Sequence, residues 1–196
     1  MAGSRRAFDE SVALDAAVEV FWEHGYQNSS LDMLCDAMGI GRQSLYAWLG
    51  DKRALFIAAL RRYEEMITPP LILEMLDDGA RGEKSVLELM RWVAKQAKQP
   101  GSRGCLLTMS VAEFASGDAE VLRVAEAQLD LFRRAVEKSL RVAKKEGTVR
   151  STLNVKSTAN LMVLLRNGLM LAARSGRPDS GFDALVQLIE RHLGDD

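Results

Sequence analysis

This 196-residue chain is short of the residues that ligate metals or crosslink: it has two cysteines, Cys35 and Cys105, and two histidines, His24 and His192. The cysteines are far apart and form no CxxC, so neither a zinc cluster nor a disulfide framework can be assembled. A Gly-rich phosphate loop and a Ser/His/Asp set are missing too, with His24 in a helix-ending turn and His192 near the last residues. That removes the usual equipment of an enzyme. No metal and no cofactor are implied. Long apolar runs are also lacking: the best candidate, 161–173, is interrupted by Arg166 and Asn167, short of the roughly 18 residues a membrane helix needs. With no basic-then-apolar leader either, the expectation is a cytoplasmic protein with no membrane partner. Alternating strand patterns of useful length are absent. What remains is an ordinary folding composition, 47% apolar and 27% charged with a net charge of −1.

Helical periodicity fills almost the whole sequence, so the expected class is all-α, with about nine helices and no internal repeat. The first helix is expected over 8–24, with Val12, Ala16, Val20 and Phe21 at three- and four-residue steps and Gly25 as the stop. Leu31, Leu34, Cys35 and Met38 form a short stripe closed by Gly39. Ser29 and Ser30 precede it; Ser29 with Asp32 fits a capping box, while Ser30 stands directly before the first apolar residue and is the preferred cap. A third short helix, RQSLYAWL, places Leu45 and Leu49 one turn apart. Asp51 caps a fourth carrying Leu55, Phe56, Ala59, Leu60, Tyr63 and Ile67, which Pro69 and Pro70 are expected to kink or break. Further helices are expected over 84–98, 105–116, 119–145, 155–175 and 181–193, separated by Gly- and Pro-containing connections.

Two short helices joined by a turn at Gly39 make a helix-turn-helix over about 29–49. Arg42, Gln43 and Ser44 occupy the first turn of its second helix, where side chains meet base edges, and Arg and Gln are bidentate readers of guanine and adenine. Charge argues the other way. The first 55 residues hold five basic residues against eight acidic ones, a poor balance for neutralising phosphates. Glu10, Glu19 and Glu23 fall on polar positions of the first helix, consistent with a face turned away from DNA.

The stretch FDESVALDAAVEVFWEHGYQNSSLDMLCDAMGIGRQSLYAWLGDKRALF resembles the TetR/AcrR family of transcriptional regulators, a likeness that extends over 8–60. It carries AAxxxFxxxGY, a hydroxyl pair before a helix, GIGRxSLY and a lysine before the fourth helix. The resemblance implies that Arg42, Gln43, Ser44 and Ala47 face bases while Ser30, Tyr46, Trp48 and Lys52 contact phosphates. This chain departs from the family pattern in having Gly41 in place of Ser or Thr, Trp48 in place of His, and Leu49 in place of Phe. Trp48 is open to two roles, an indole donor to phosphate or a packing residue. Arg5 and Arg6 are either an arm reaching DNA or a disordered tail. The implied division is a DNA-binding unit over 1–52 and an effector-binding and dimerisation unit over 53–196.

In the second unit, apolar residues crowd helix 155–175 and form a stripe on helix 181–193. Pairing with a second copy, as the family does, would cover Leu161, Leu165, Gly168, Leu169, Phe182, Leu185, Val186 and Ile189; a monomer core is the alternative. Met66, Trp92, Met109, Phe114 and Met170 are candidates to line a cavity for a largely apolar small molecule, or are simple core. Cys105 opens a helix beside Arg103, a setting that lowers a thiol pKa, although a small buried residue would also explain it and is the preferred reading. The expected function is therefore a repressor, homodimeric on a palindromic double-stranded operator and released by a small-molecule effector. A thiol sensor triggered at Cys105 is the alternative, and an enzyme is the reading least supported.

Overall fold

Asp9 begins the fold: its Oδ1 accepts from the backbone N–H of Ser11 at 2.9 Å and of Val12 at 3.3 Å, satisfying donors that a helix start leaves free. In the computed structural model, which describes residues 8–77, 82–114, 117–176 and 181–194, this cap starts α1 (Glu10–Asn28). The buried face of α1 is Ala13, Ala17, Val18 and Phe21, whereas Val12 is 63% exposed. The expected stripe was thus displaced by one residue. Alanine carries little hydrophobic signal, yet small residues are what let α1 lie close to α4. Gly25, at φ 75° and ψ 176°, breaks the helix where the sequence placed a stop, and a further turn follows it.

Ser30 caps α2 (Leu31–Met38), its Oγ accepting from Met33 N–H at 3.1 Å. Ser29 instead is buried and donates its hydroxyl to the Gly25 carbonyl at 2.5 Å, tying the cap to the break in α1. Gly39 adopts the left-handed conformation that ends α2, and α3 (Arg42–Leu49) begins without a side-chain cap at Gly41. Leu34, Cys35, Met38 and Leu45 are buried between α2, α3 and their neighbours.

Next comes α4 (Lys52–Asp77), capped by Asp51 and continuous through Pro69 and Pro70, so the expected break does not occur. Leu55, Phe56, Ala59, Leu60 and Tyr63 anchor its first part in the core. Helix propagation alone does not offset two missing donors; the stability comes from the packed first part of the helix, Leu55 to Tyr63. Then follow α5 (Gly82–Ala97), α6 (Leu106–Phe114), α7 (Ala119–Glu146), α8 (Val155–Arg174) and α9 (Gly181–Leu193). Among the described residues all elements are helical, nine in number. Residues 5 and 6, the proposed arm or tail, lie outside the described residues.

The body is organised around α7, which packs against α4, α5, α6 and α8, while α5 also meets α8 and α9. Arg53 at the start of α4 is bonded to Asp118 and, at 2.8 Å, to Glu120, fixing the first turn of α7 to the base of the head that α1–α3 form below the body of α4–α9. Leu169, Phe182, Val186 and Ile189 are buried within this single chain, so they belong to its core and not to a face left for a second subunit. Of the expected set Leu161 is exposed on α8, and it is joined there and on α9 by three residues outside that set, Leu164 at 68% exposure, Leu171 and Leu188.

Candidate nucleic-acid interface and cavity

On α3, Leu45 turns inward and Leu49 is half-buried, which leaves Arg42, Gln43, Tyr46 and Ala47 on the outer face, with Ser44 and Trp48 half-buried at its margins. Tyr46 is 48% exposed. Arg42 is already engaged: its Nε and Nη2 donate to Asp32 Oδ1 at 2.9 and 2.6 Å. An exposed pair of this kind contributes little to stability, so a DNA anion can displace it. Trp48 lies edge-on to Phe8 with centroids 5.1 Å apart, which favours its packing role. Ser30 is exposed. Lys52 is half-buried, its Nζ 4.4 Å from the centre of the Tyr26 ring, and burial lowers its pKa while nearby Glu113 opposes the shift.

The acidic surplus of the head has a structural answer. Asp15 pairs with Arg62 at 2.6 Å, and Glu19 with Arg103 at 2.8 Å, with Glu23 at 3.9 Å from the same guanidinium. These acids meet cations contributed by α4 and by the loop before α6, beyond the stretch on which the sequence count was made.

The break at Gly25 leaves helix-end groups unsatisfied, and the body supplies both kinds of partner. Arg174, the last residue of α8, donates to the Trp22 carbonyl at 2.8 Å and the Glu23 carbonyl at 2.5 Å. Glu113 of α6 accepts from Tyr26 N–H at 3.0 Å and Gln27 N–H at 2.7 Å. Beneath this joint, Tyr26, Phe56 and Phe114 form an aromatic cluster with centroids 5.0–5.5 Å apart.

A cavity of about 330 Å³ opens beside it. Of the expected lining residues, Trp92, Cys105 and Met170 are there. Phe114 belongs to the aromatic cluster instead, Met66 is exposed on α4, and Met109 is half-buried outside the cavity wall. Sequence reasoning missed Trp22, Tyr63, Arg103 and Arg166, which also line the cavity. A charged residue interrupting an apolar helix was the available signal for Arg166. Two arginines thus stand in the wall of a cavity expected to take a largely apolar small molecule.

Cys105 is 2% exposed and sits just before the first turn of α6. Arg103, its expected activator, is turned away to stack on Trp22 at 4.0 Å and to pair with Glu19. Arg166 takes the place instead, with Nη2 3.4 Å from Cys105 Sγ. Burial resists ionisation of this thiol, but Arg166 and hydrogen bonds from Thr108 outweigh it and bring the pKa below the ordinary thiol value. Cys35 shows the contrary case, its pKa raised by burial. Gly104, between Arg103 and Cys105, is held at φ 70°; its carbonyl accepts from Trp22 Nε1 at 3.3 Å, and a Cβ there would collide with the Met170 carbonyl. The cavity wall is thus bonded directly to α1.

Residues 13–59 match the model of bacterial regulatory proteins, tetR family, and residues 86–189 match the tetracyclin repressor-like C-terminal domain. The chain belongs to the TetR family. It is 31% identical over 146 residues to the HTH-type transcriptional regulator YezE of Bacillus subtilis, covering 74% of this chain and 75% of YezE. The HTH-type transcriptional repressor ComR of Escherichia coli is 23% identical over 187 residues, 95% of this chain and 88% of ComR. Among solved structures, a cysteine-substituted TetR-family regulator CifR in complex with 26-bp double-strand operator DNA superposes with a TM-score of 0.82 at 28% identity, covering 97% of this chain and all of that one. A TetR-family member is a DNA-binding transcriptional regulator, and that is the function of this chain; the enzyme reading is set aside. Its described helices include none long and apolar enough to cross a membrane.

Proposed function

We propose that the chain is a cytoplasmic, homodimeric repressor that binds a palindromic operator through α2 and α3 and is released when a small molecule fills the cavity. The observation that carries this reading is the outer face of α3, where Arg42 and Gln43 stand side by side on a helix anchored by Leu45. Arg42, Gln43, Ser44 and Ala47 would read bases, and Ser30, Tyr46 and Lys52 would set the register on phosphates, with Trp48 more a brace than a contact. On this reading the DNA-binding unit would span 1–52 and the effector and dimer unit 53–196. CifR, solved on operator DNA, supports the same use of the head here.

The second copy would dock on α8 and α9. Leu161, Leu164, Gly168 and Leu171 recur at three- and four-residue steps, with Leu165 beside them and Leu185 and Leu188 on α9. Among the described residues a Cβ at Gly168 would meet nothing within 4 Å, leaving room for another helix. A dimer presents two recognition helices to half-sites one or more turns apart, and an effector preferring a different spacing lowers affinity by its coupling free energy.

The test is fluorescence anisotropy on fragments selected from the source genome. Arg42→Ala and Gln43→Ala should each relax sequence preference by about 1–3 kcal/mol. Lys52→Ala should weaken all sequences alike and lower the salt slope by about one. Uniform loss from all three refutes the division of roles, and absence of any preferred fragment refutes the repressor reading.

The contact between Arg166 and Cys105 favours a second reading, a thiol sensor in which an electrophile adds to the Cys105 sulfur. Operator release by N-ethylmaleimide that persists in Cys105→Ser would exclude it.

A further inference from the structure

The cavity is electrostatically unbalanced. Of its two arginines, Arg103 is matched by Glu19 and Glu23. Arg166 has no carboxylate in salt-bridge range among the described residues; its guanidinium meets Asn167 Oδ1 at 3.1 Å, Cys105 Sγ at 3.4 Å and the Phe132 ring at 5.3 Å. Tyr63, only 3% exposed, brings its hydroxyl to the same sulfur. A partly buried guanidinium is costly without an anion, and its planar fork matches a carboxylate with two parallel donors. The remaining wall is flat and aromatic. Trp22 and Tyr63 meet edge to face at 5.0 Å, and Trp92 lines the cavity with them.

We infer that the ligand of this cavity is a small aromatic carboxylic acid, its carboxylate paired with Arg166 and its ring held among Trp22, Tyr63 and Trp92. This deepens, and rests on, the reading of the cavity as the effector site. About 330 Å³ suits one or two rings, at the lower end of ligand cavities. A consequence follows for Cys105. The bound carboxylate and an ionised Cys105 draw on the same guanidinium, so the acid suppresses thiolate formation and slows attack at that sulfur.

The test uses the whole chain, without DNA for ligand binding and alkylation, and with operator present when release by the same acids and amides is measured. Benzoate and naphthoate are titrated against benzamide and naphthamide by tryptophan fluorescence. In parallel, alkylation of Cys105 by iodoacetamide is followed by peptide mass, which separates it from Cys35. The acids should bind about tenfold more tightly than their amides. Arg166→Gln should abolish that preference, Arg166→Lys should keep part of it, and Cys105→Ser should keep it whole. Acid should slow alkylation at concentrations where the amide has no effect. Equal binding of acid and amide, an acid preference that survives Arg166→Gln, or alkylation indifferent to bound acid would each overturn the inference. The acid–amide comparison in the unaltered protein decides even where Arg166→Gln does not fold. An acid that binds but leaves operator affinity unchanged removes the effector reading and leaves this site standing. Neutral aromatics that bind better than acids and release operator do the opposite.

Discussion

Replacing Gly25 by alanine probes the joint between head and body. At φ 75° and ψ 176° the backbone occupies a region that is essentially confined to glycine, and a Cβ there costs about 1–3 kcal/mol. The same Cβ would lie 3.2 Å from Glu113 Oε2, so the carboxylate must also move off the N–H groups of Tyr26 and Gln27. Both hydrogen bonds are exposed and water can replace the carboxylate, which limits each to about 0.5–1 kcal/mol. Together Gly25→Ala should destabilise by about 2–5 kcal/mol, or lower Tm by roughly 4–20 °C in a chain of this size. Thermal melts at matched protein concentration measure it, since the proposed dimerisation would make Tm concentration-dependent. Glu113→Ala should cost about 1–2 kcal/mol, and the double variant less than the sum, because the two changes remove the same pair of bonds. A loss under about 0.5 kcal/mol for Gly25→Ala, or strict additivity, would refute the account.

Leu164→Glu with Leu171→Glu should convert the dimer to monomer in light scattering while leaving the helical content intact, since both side chains lie outside the protomer core. Persistence of the dimer would place the interface elsewhere. Stability should also depend on His192, whose Nδ1 accepts from Arg150 Nη2 at 2.8 Å, leaving Nε2–H to donate to Thr158 Oγ1 at 3.2 Å. Burial and then Arg150 depress its pKa below 6.5, so the unfolded chain binds the proton more readily. The stability is present above pH 6.5 and is lost as pH falls below that value toward the folded pKa. Urea melts against pH should show that slope, and His192→Gln should flatten it; an unchanged slope assigns the acid sensitivity to other groups.

The short helices of the head were legible because their boundaries are set locally, by Ser30, Gly39 and stripes of three or four large apolar residues. The buried face of α1 was not, because Ala13 and Ala17 are inconspicuous while the exposed Val12 resembles core. The stripe of Phe182, Val186 and Ile189 was seen correctly as apolar, but periodicity does not say whether the wall opposite is the same chain or a copy. Cys105 was found, and its partner was mistaken. Arg103 is near in sequence but its planar group stacks on Trp22, whereas Arg166 reaches the sulfur from 61 residues away. Contacts of that kind depend on how α6 and α8 cross, which no local pattern encodes.

The pairing of Asp15, Glu19 and Glu23 with Arg62 and Arg103 means that the DNA-reading unit does not own its electrostatics. Cut away or grafted onto a foreign body, residues 8–52 would keep their recognition side chains in place and yet approach a polyanion with those three carboxylates bare. In this chain the recognition unit would therefore transfer with its charge balance intact only together with Arg62 and Arg103. Arg103, which neutralises Glu19 and Glu23, also stands in the cavity wall, so a ligand that displaced it would bare two carboxylates on α1.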